Sequence, residues 1–253
     1  MNKIILTFFL ILLGFSLRAQ ELNKDIINQF EASNKDLVNN NFERALTGYQ
    51  AIEKEGIVSQ GLYTNIGTTY FKLNHLGKSL LYFEKGILIA PLDTELNFNK
   101  NKVLDKLDKT VSSNNLTIDN KRTVFLNIAN ILSITLIVLM VLSCLLYFIY
   151  FKFQLPTNKL LNSTFFKFVF TVSFILILIS LVIVKTYQSK TYGVNTANLT
   201  NLNLGPSPYS KVIDSLSEGY KAEVIKKYDN WFEIKDAQGR IGWVNSKEFE
   251  EIK

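Results

Sequence analysis

Cysteine and histidine each occur once in the 253 residues. The single thiol, Cys144, lies inside an apolar run, so no intrachain disulfide can form. With His75 as the sole imidazole there is no Cys/His set at metal-ligand spacing, and no glycine-rich loop of the kind that cradles phosphate. Catalysis needs a nucleophile, base or metal in convergent geometry, and none of these can be assembled from motifs here. Carboxylate pairs exist, Glu53 with Glu55 and Glu250 with Glu251, but they sit on charged stretches and read as solvated faces. His75 falls in a turn and reads as surface. The chain is expected to be no enzyme and to carry no cofactor and no metal.

A basic binding face is missing as well. The net charge is +6, yet acids and bases cancel over 20–122 and nearly cancel over 185–253. The excess comes from Lys3 and Arg18 and from Lys152, Lys159 and Lys167, which lie in a stretch without acids. Such a distribution excludes a nucleic-acid surface and points to membrane topology. Lys3, the apolar run Ile4 to Phe15 and the small Ala19 read as a signal peptide over 1–19; an uncleaved anchor is the alternative. Apolar stretches over 123–151 and 165–184 have the ~20 residues a bilayer span requires, joined by a loop over 152–164. The expectation is a two-helix transmembrane hairpin with a cytoplasmic loop. That would make the chain a multi-pass protein of the bacterial inner membrane, in contact with the lipid bilayer and with both flanking domains periplasmic. Apart from Lys167 near one end, the polar groups within these stretches are uncharged, Ser, Thr, Asn127 and Asn130 among them, so they read as an anchor rather than a transport path.

Residues 20–110 repeat with a period of 34: Ser33 recurs as Gly67, Phe42 as Leu76, Ala45 as Ser79 and Tyr49 as Phe83. In the second copy Tyr63, Ile66, Gly67, Tyr70, Ser79, Phe83, Gly86 and Pro91 fall on the signature positions of the tetratricopeptide (TPR) pattern, which the region resembles. Small residues stand where two helices press together, large ones where neighbouring repeats interlock, and Pro91 closes a helix. A further helix from Thr94, with Asp93 as its N-cap and an apolar stripe of Leu96, Val103, Leu104 and Leu107, reads as a cap. The resemblance implies an all-α solenoid of two repeats plus the capping helix. It also implies a peptide groove lined by the first helix of each repeat, which maps onto Asn34, Thr64, Asn65, Thr68, Phe71, Phe98 and Lys102. Packing roles for Phe71 and Phe98 stay open. In chaperone-binding relatives Asn34 and Asn65 would help clamp a carboxylate, but Phe30 stands where a lysine is needed.

From 194 to 253 the text turns to short alternating runs separated by turn residues. The segments NLNLGPSPYSKVI (201–213), EGYKAEVIKKYDNWFEIKD (218–236) and GRIGWVNSKEF (239–249) resemble bacterial SH3 (SH3b) domains, implying an all-β, SH3-like barrel. Asp229-Asn230 and Gln238-Gly239 fit hairpin turns. The family's Arg ahead of the Gly-Pro-Ser turn is replaced by Asn203. Trp231 and Trp243 either line a groove for an extended peptide or belong to the core; Trp231 is the stronger groove candidate.

The succession of signal peptide, TPR pair, membrane hairpin and SH3b domain resembles the BatE-type members of the Bacteroides aerotolerance (Bat) proteins. That resemblance implies a multi-domain membrane protein acting as a scaffold, with other Bat-type membrane proteins as partners and a link to stress tolerance. An envelope sensor whose SH3b domain reads peptidoglycan is the alternative.

Overall fold

The computed structural model describes residues 24–153, 159–188 and 190–253. The expected signal peptide, 1–19, and part of the expected loop, 154–158, lie outside the described residues. The chain divides into two compact units. One joins the residues up to Asn114 with Thr191–Lys253, and the other is Asn115–Lys190.

The first unit begins with helices α1 (24–38), α2 (Phe42–Lys54), α3 (Gln60–Lys72), α4 (Leu76–Ile89) and α5 (Thr94–Lys106). The 34-residue period is written into their ends. Asn40 and Asn74, 34 apart, both adopt φ +61° and turn the chain out of α1 and α3, a conformation asparagine tolerates better than most residues. Ser59 and Asp93, again 34 apart, cap α3 and α5. The Ser59 hydroxyl accepts from Leu62 N at 3.2 Å and the Asp93 carboxylate from Leu96 N at 2.8 Å. Between helices the small residues are demanded by contact: a Cβ on Gly67 would lie 2.8 Å from the Phe83 ring and one on Gly86 2.8 Å from Leu96. Ser79, fully buried, donates to Gly67 O at 2.7 Å. Ala45, Tyr49, Ile52, Leu62, Ile66 and Tyr70 form the helical core. The helical region is consistent with a TPR-like repeat.

The same unit contains one antiparallel sheet of seven strands: β1 (Thr191–Asn195), β2 (Leu199–Asn203), β3 (Val212–Ser217), β4 (Lys221–Tyr228), β5 (Trp231–Lys235), β6 (Ile241–Asn245) and β7 (Phe249–Glu251). Their order is β3-β2-β6-β5-β4-β1-β7. The Asp229-Asn230 turn closes β4 on β5, with Tyr228 opposite Trp231 and Asp229 at φ +51°. At the next turn Gly239 takes φ +88°, and Asp236 Oδ1 accepts from the amides of Gln238 and Arg240. Buried Asn195 ties β1 to its neighbours: its amide donates to Leu216 O and Ser217 O, and its carbonyl accepts from Thr200 Oγ1. Alternation decides the core: Ala222 and Val224 point in, while Glu223 is half-buried and Ile225 exposed.

The helical and β regions are not separate beads. Gly77 and Glu84 lie two turns apart on α4, hence on one face, and both reach the sheet. The Gly77 amide donates to Glu218 Oε1 at 2.8 Å, and Glu84 Oε1 lies 2.9 Å from Lys221 Nζ. The Lys221 side chain is 1% exposed and that of Glu84 6%, so this ion pair is buried. A Cβ on Gly77 would stand 2.5 Å from Asn195 O, and one on Gly219, at φ +79°, 2.6 Å from Leu107. Leu107, expected on the stripe of the capping helix, instead lies past the end of α5 and packs against the β core, which also takes in Val111. Asn114 completes the seam, donating to Lys221 O at 2.8 Å and accepting from Ala237 N at 3.2 Å.

Helix α6 (Lys109–Phe153) leaves this unit after Asn114 and, with α7 (Lys159–Gln188), makes the second. There the Ser133 and Ser180 hydroxyls are hydrogen-bonded, and Ile137, Leu142, Phe174 and Leu181 are exposed. The expected transmembrane hairpin is not upheld: among the described residues no helix is long and apolar enough to cross a membrane. A span takes about 20 consecutive apolar residues. Within α6, Ser133, Thr135 and Ser143 interrupt the apolar run. The membrane fold class is corrected accordingly, and the multi-pass inner-membrane, periplasmic placement loses its basis.

Candidate functional site

The first helices of the repeats, α1 and α3, and the following α5 carry the groove positions, and α3 and α5 touch directly. Two contacts knit this face together. Asn34 Oδ1 accepts from Asn65 Nδ2 at 2.8 Å and from the Tyr49 hydroxyl at 2.7 Å, bridging α1 to α3 and α2. Burial pushes the Tyr49 phenol up to about 12, against the opposing effect of the neighbouring Asn65 amide. The phenol therefore stays a neutral donor, holding Asn34 in place. Further along, Lys106 Nζ sits 4.2 Å above the Phe71 ring, bridging α5 to α3, and Lys102 Nζ sits 4.3 Å above Phe98.

Most of the sequence-derived groove residues share this face. Asn34, Asn65, Thr68 and Phe71 are half-buried, Lys102 is exposed, and Phe98 is 60% exposed. Thr64 differs: it is buried, and its hydroxyl turns back to Gln60 O at 2.9 Å. Lys106 was missed by the motif mapping. Its signal is simple spacing, since it lies one helical turn beyond Lys102. Cations over aromatic faces are each worth about 0.5–1 kcal/mol at exposed sites. Here they also hold two ammonium groups flat against the groove floor.

At the α1 end the groove runs into a cavity of about 340 Å³ whose walls include Ile26, Phe30, Ile52, Ile57 and Leu62, with Glu31 and Asn34 at its polar edge. Ile27, also lining it, is 50% exposed.

On the sheet, Phe232 and Ile234 face the core, which leaves Trp231 and Glu233 on the other face of β5. Trp243, opposite Glu233 on β6, packs edge-on against Tyr228, with ring centroids 6.5 Å apart and planes at 85°. Trp231 and Trp243 are both half-buried and neither belongs to the core cluster, while Tyr228 is 59% exposed. The result is an outward aromatic surface on which an extended chain or a sugar ring could stack.

Elsewhere in the sheet Arg240 donates through Nε to Asp236 at 2.6 Å and through Nη2 to the Tyr220 hydroxyl at 3.0 Å, and it also pairs with Asp214. Burial pushes the Tyr220 phenol up to about 12. The hydrogen bond donated to Asp236 leads the effects that raise Arg240 further above its ordinary value. These groups are saturated by one another and serve the turn. His75 contacts the Tyr70 ring edge-on in the α3–α4 turn. Among the described residues no three His, Cys, Asp or Glu side chains gather as a metal site would require.

Residues 196–251 match the bacterial SH3 domain family. No curated protein matches the chain. The matched stretch covers β2 to β7; β1, which meets α4, lies just ahead of it.

Proposed function

We propose that the chain is a non-catalytic binding scaffold. A segment of another protein lies along the α1–α3–α5 face, and the SH3b module supplies a second contact. The observation that carries this reading is the continuity of the face, joined by the Asn34–Asn65 hydrogen bond and by Lys106 over Phe71. The SH3b module engages α4 and the α5–α6 corner, so it does not use up these groove residues. Membership of a Bat-type assembly linked to aerotolerance is the finer form of the proposal. It is supported by the resemblance of the repeat-plus-SH3b arrangement and requires other Bat-type proteins as partners.

The test is crosslinking and affinity capture with the full chain against Asn65→Ala and Phe71→Ala. Partners lost with both variants support the groove; partners recovered undiminished remove it. The aromatic surface of Tyr228, Trp231 and Trp243 favours one second reading, a module that binds peptidoglycan. In that case sedimentation with insoluble peptidoglycan should carry the chain down and Trp231→Ala should release it. If the wild-type chain stays in the supernatant, that reading fails.

A further inference from the structure

The two ends of the groove differ in chemistry. At α1 lies the apolar cavity of about 340 Å³. A cavity of ~150 Å³ already holds a benzene ring, so there is room for one bulky side chain and the backbone that carries it. Among the described residues Glu31 is the one charged side chain at its edge, and there it is exposed and makes no ion pair. At α5 lie the two ammonium groups of Lys102 and Lys106, held over Phe98 and Phe71. Between them Asn34 and Asn65 present a fixed polar floor. A groove that is acidic and greasy at one end and net cationic at the other, where Lys102 and Lys106 outnumber Asp105 on α5, imposes a direction on whatever lies in it, because a reversed ligand would meet like charges at both ends.

We infer that the groove takes an extended segment of a partner protein in one orientation: a bulky aliphatic or aromatic side chain fills the cavity, an adjacent Lys or Arg faces Glu31, and acidic residues lie over Lys102 and Lys106. Packed helices stand about 8–10 Å apart. The two steps from α1 to α5 cover roughly 18 Å across the helices and the stretch of α3 from Leu62 to Phe71 about 13 Å along them, so the two ends lie roughly 22 Å apart, or about seven extended residues at ~3.3 Å each. The ligand has the form of an apolar-basic pair followed, about seven residues on, by an acidic cluster. This inference rests on the proposed groove and adds to it the identity of the ligand class.

The experiment is selection of a displayed library of random peptides on the full chain, followed by fluorescence anisotropy with the labelled winners. Winners should share the apolar-basic and acidic ends. Glu31→Lys should weaken them about tenfold and favour synthetic copies in which the basic residue is replaced by Asp, as expected for inverting one partner of an interfacial charge pair. Ile27→Glu, a change at a half-exposed position, should abolish binding by placing a carboxylate at the cavity. Winners bound equally by wild type, Glu31→Lys and Ile27→Glu but lost with Phe71→Ala would overturn the inference and leave the groove standing. Winners insensitive to Asn65→Ala and Phe71→Ala, or no enrichment at all, would overturn both.

Discussion

Both tryptophans of the chain, Trp231 and Trp243, lie in the β region, so their fluorescence reports on the SH3b module alone. Glu84 lies on α4, in the helical region. Glu84→Ala therefore perturbs one module and can be read in the other. The change takes a carboxylate 2.9 Å away from an ammonium whose side chain is 1% exposed. Breaking a buried pair from one side costs about 3–5 kcal/mol, because the remaining charge stays desolvated. Tyr192, whose ring lies 5.7 Å from Lys221 Nζ, gives the ammonium some continuing stabilisation, so about 3 kcal/mol is the expected loss. That is roughly two orders of magnitude in the folding equilibrium. In urea the wild-type tryptophan and helical circular-dichroism transitions should coincide, and Glu84→Ala should shift both to lower denaturant. Glu84→Leu combined with Lys221→Met should recover part of the loss, since an apolar pair of similar volume replaces the buried ion pair at little cost while Lys100 Nζ, 3.8 Å from Glu84 Oε1, still loses that carboxylate. A tryptophan transition that Glu84→Ala leaves within about 0.5 kcal/mol of wild type would refute the reasoning.

Glycine substitutions separate contact from conformation. Gly77→Ala drives a Cβ to 2.5 Å from a backbone oxygen of Asn195, whereas Gly61→Ala meets nothing within 4 Å. The first should destabilise by about 1–3 kcal/mol and the second should stabilise by up to about 1 kcal/mol, both measured by urea titration. Glu251 gives a pH test. Burial alone would raise its carboxyl, but hydrogen bonds from Lys227 and Lys253 outweigh this and hold it below its ordinary value. A depressed folded-state value contributes stability that is present above the unfolded pKa, about 4.3–4.5, and lost as pH falls through the folded one. Glu251→Gln should therefore flatten the acid limb of thermal stability below about pH 4.5. An unchanged acid limb would count against the ion pairs.

The helical repeat and the strand pattern were legible because both depend on local rules. Gly67, Ser79 and Phe83 are spaced by helix geometry, Asp93 caps α5 as its position suggests, and Asp229-Asn230 makes the turn its composition favours. Of the mapped groove positions, Asn34, Asn65 and Phe98 came out half-buried or exposed, although the hydrogen bond between the two asparagines was not foreseen. Thr64 did not, because a helix packed on both sides turns some first-helix positions inward, where a threonine hydroxyl satisfies itself on the preceding turn. The apolar stretches of α6 and α7 were over-read: hydrophobic length alone led to a membrane hairpin that the described helices do not support. The junction was the least legible feature, since Glu84 and Lys221 meet across a long separation and no periodicity relates them. A hint was present nonetheless. Glu84 follows the core residues Leu80, Leu81, Tyr82 and Phe83, and Lys221 stands between buried Tyr220 and Ala222. A charge within a buried run calls for a partner from elsewhere.

One backbone amide tests the junction most directly. Gly77 lies in the first turn of α4, whose N-cap His75 makes no side-chain capping bond, and amides at such a position ordinarily exchange freely with solvent. Here the Gly77 N–H is donated to Glu218 of the SH3b module. Hydrogen exchange followed by NMR on the full chain should find Gly77 slowed at least about a hundredfold relative to an open first-turn amide, with the protection lost in Glu218→Ala. Free exchange of Gly77 in the wild-type protein would mean that the SH3b module does not dock on α4, and the described junction would fall with it.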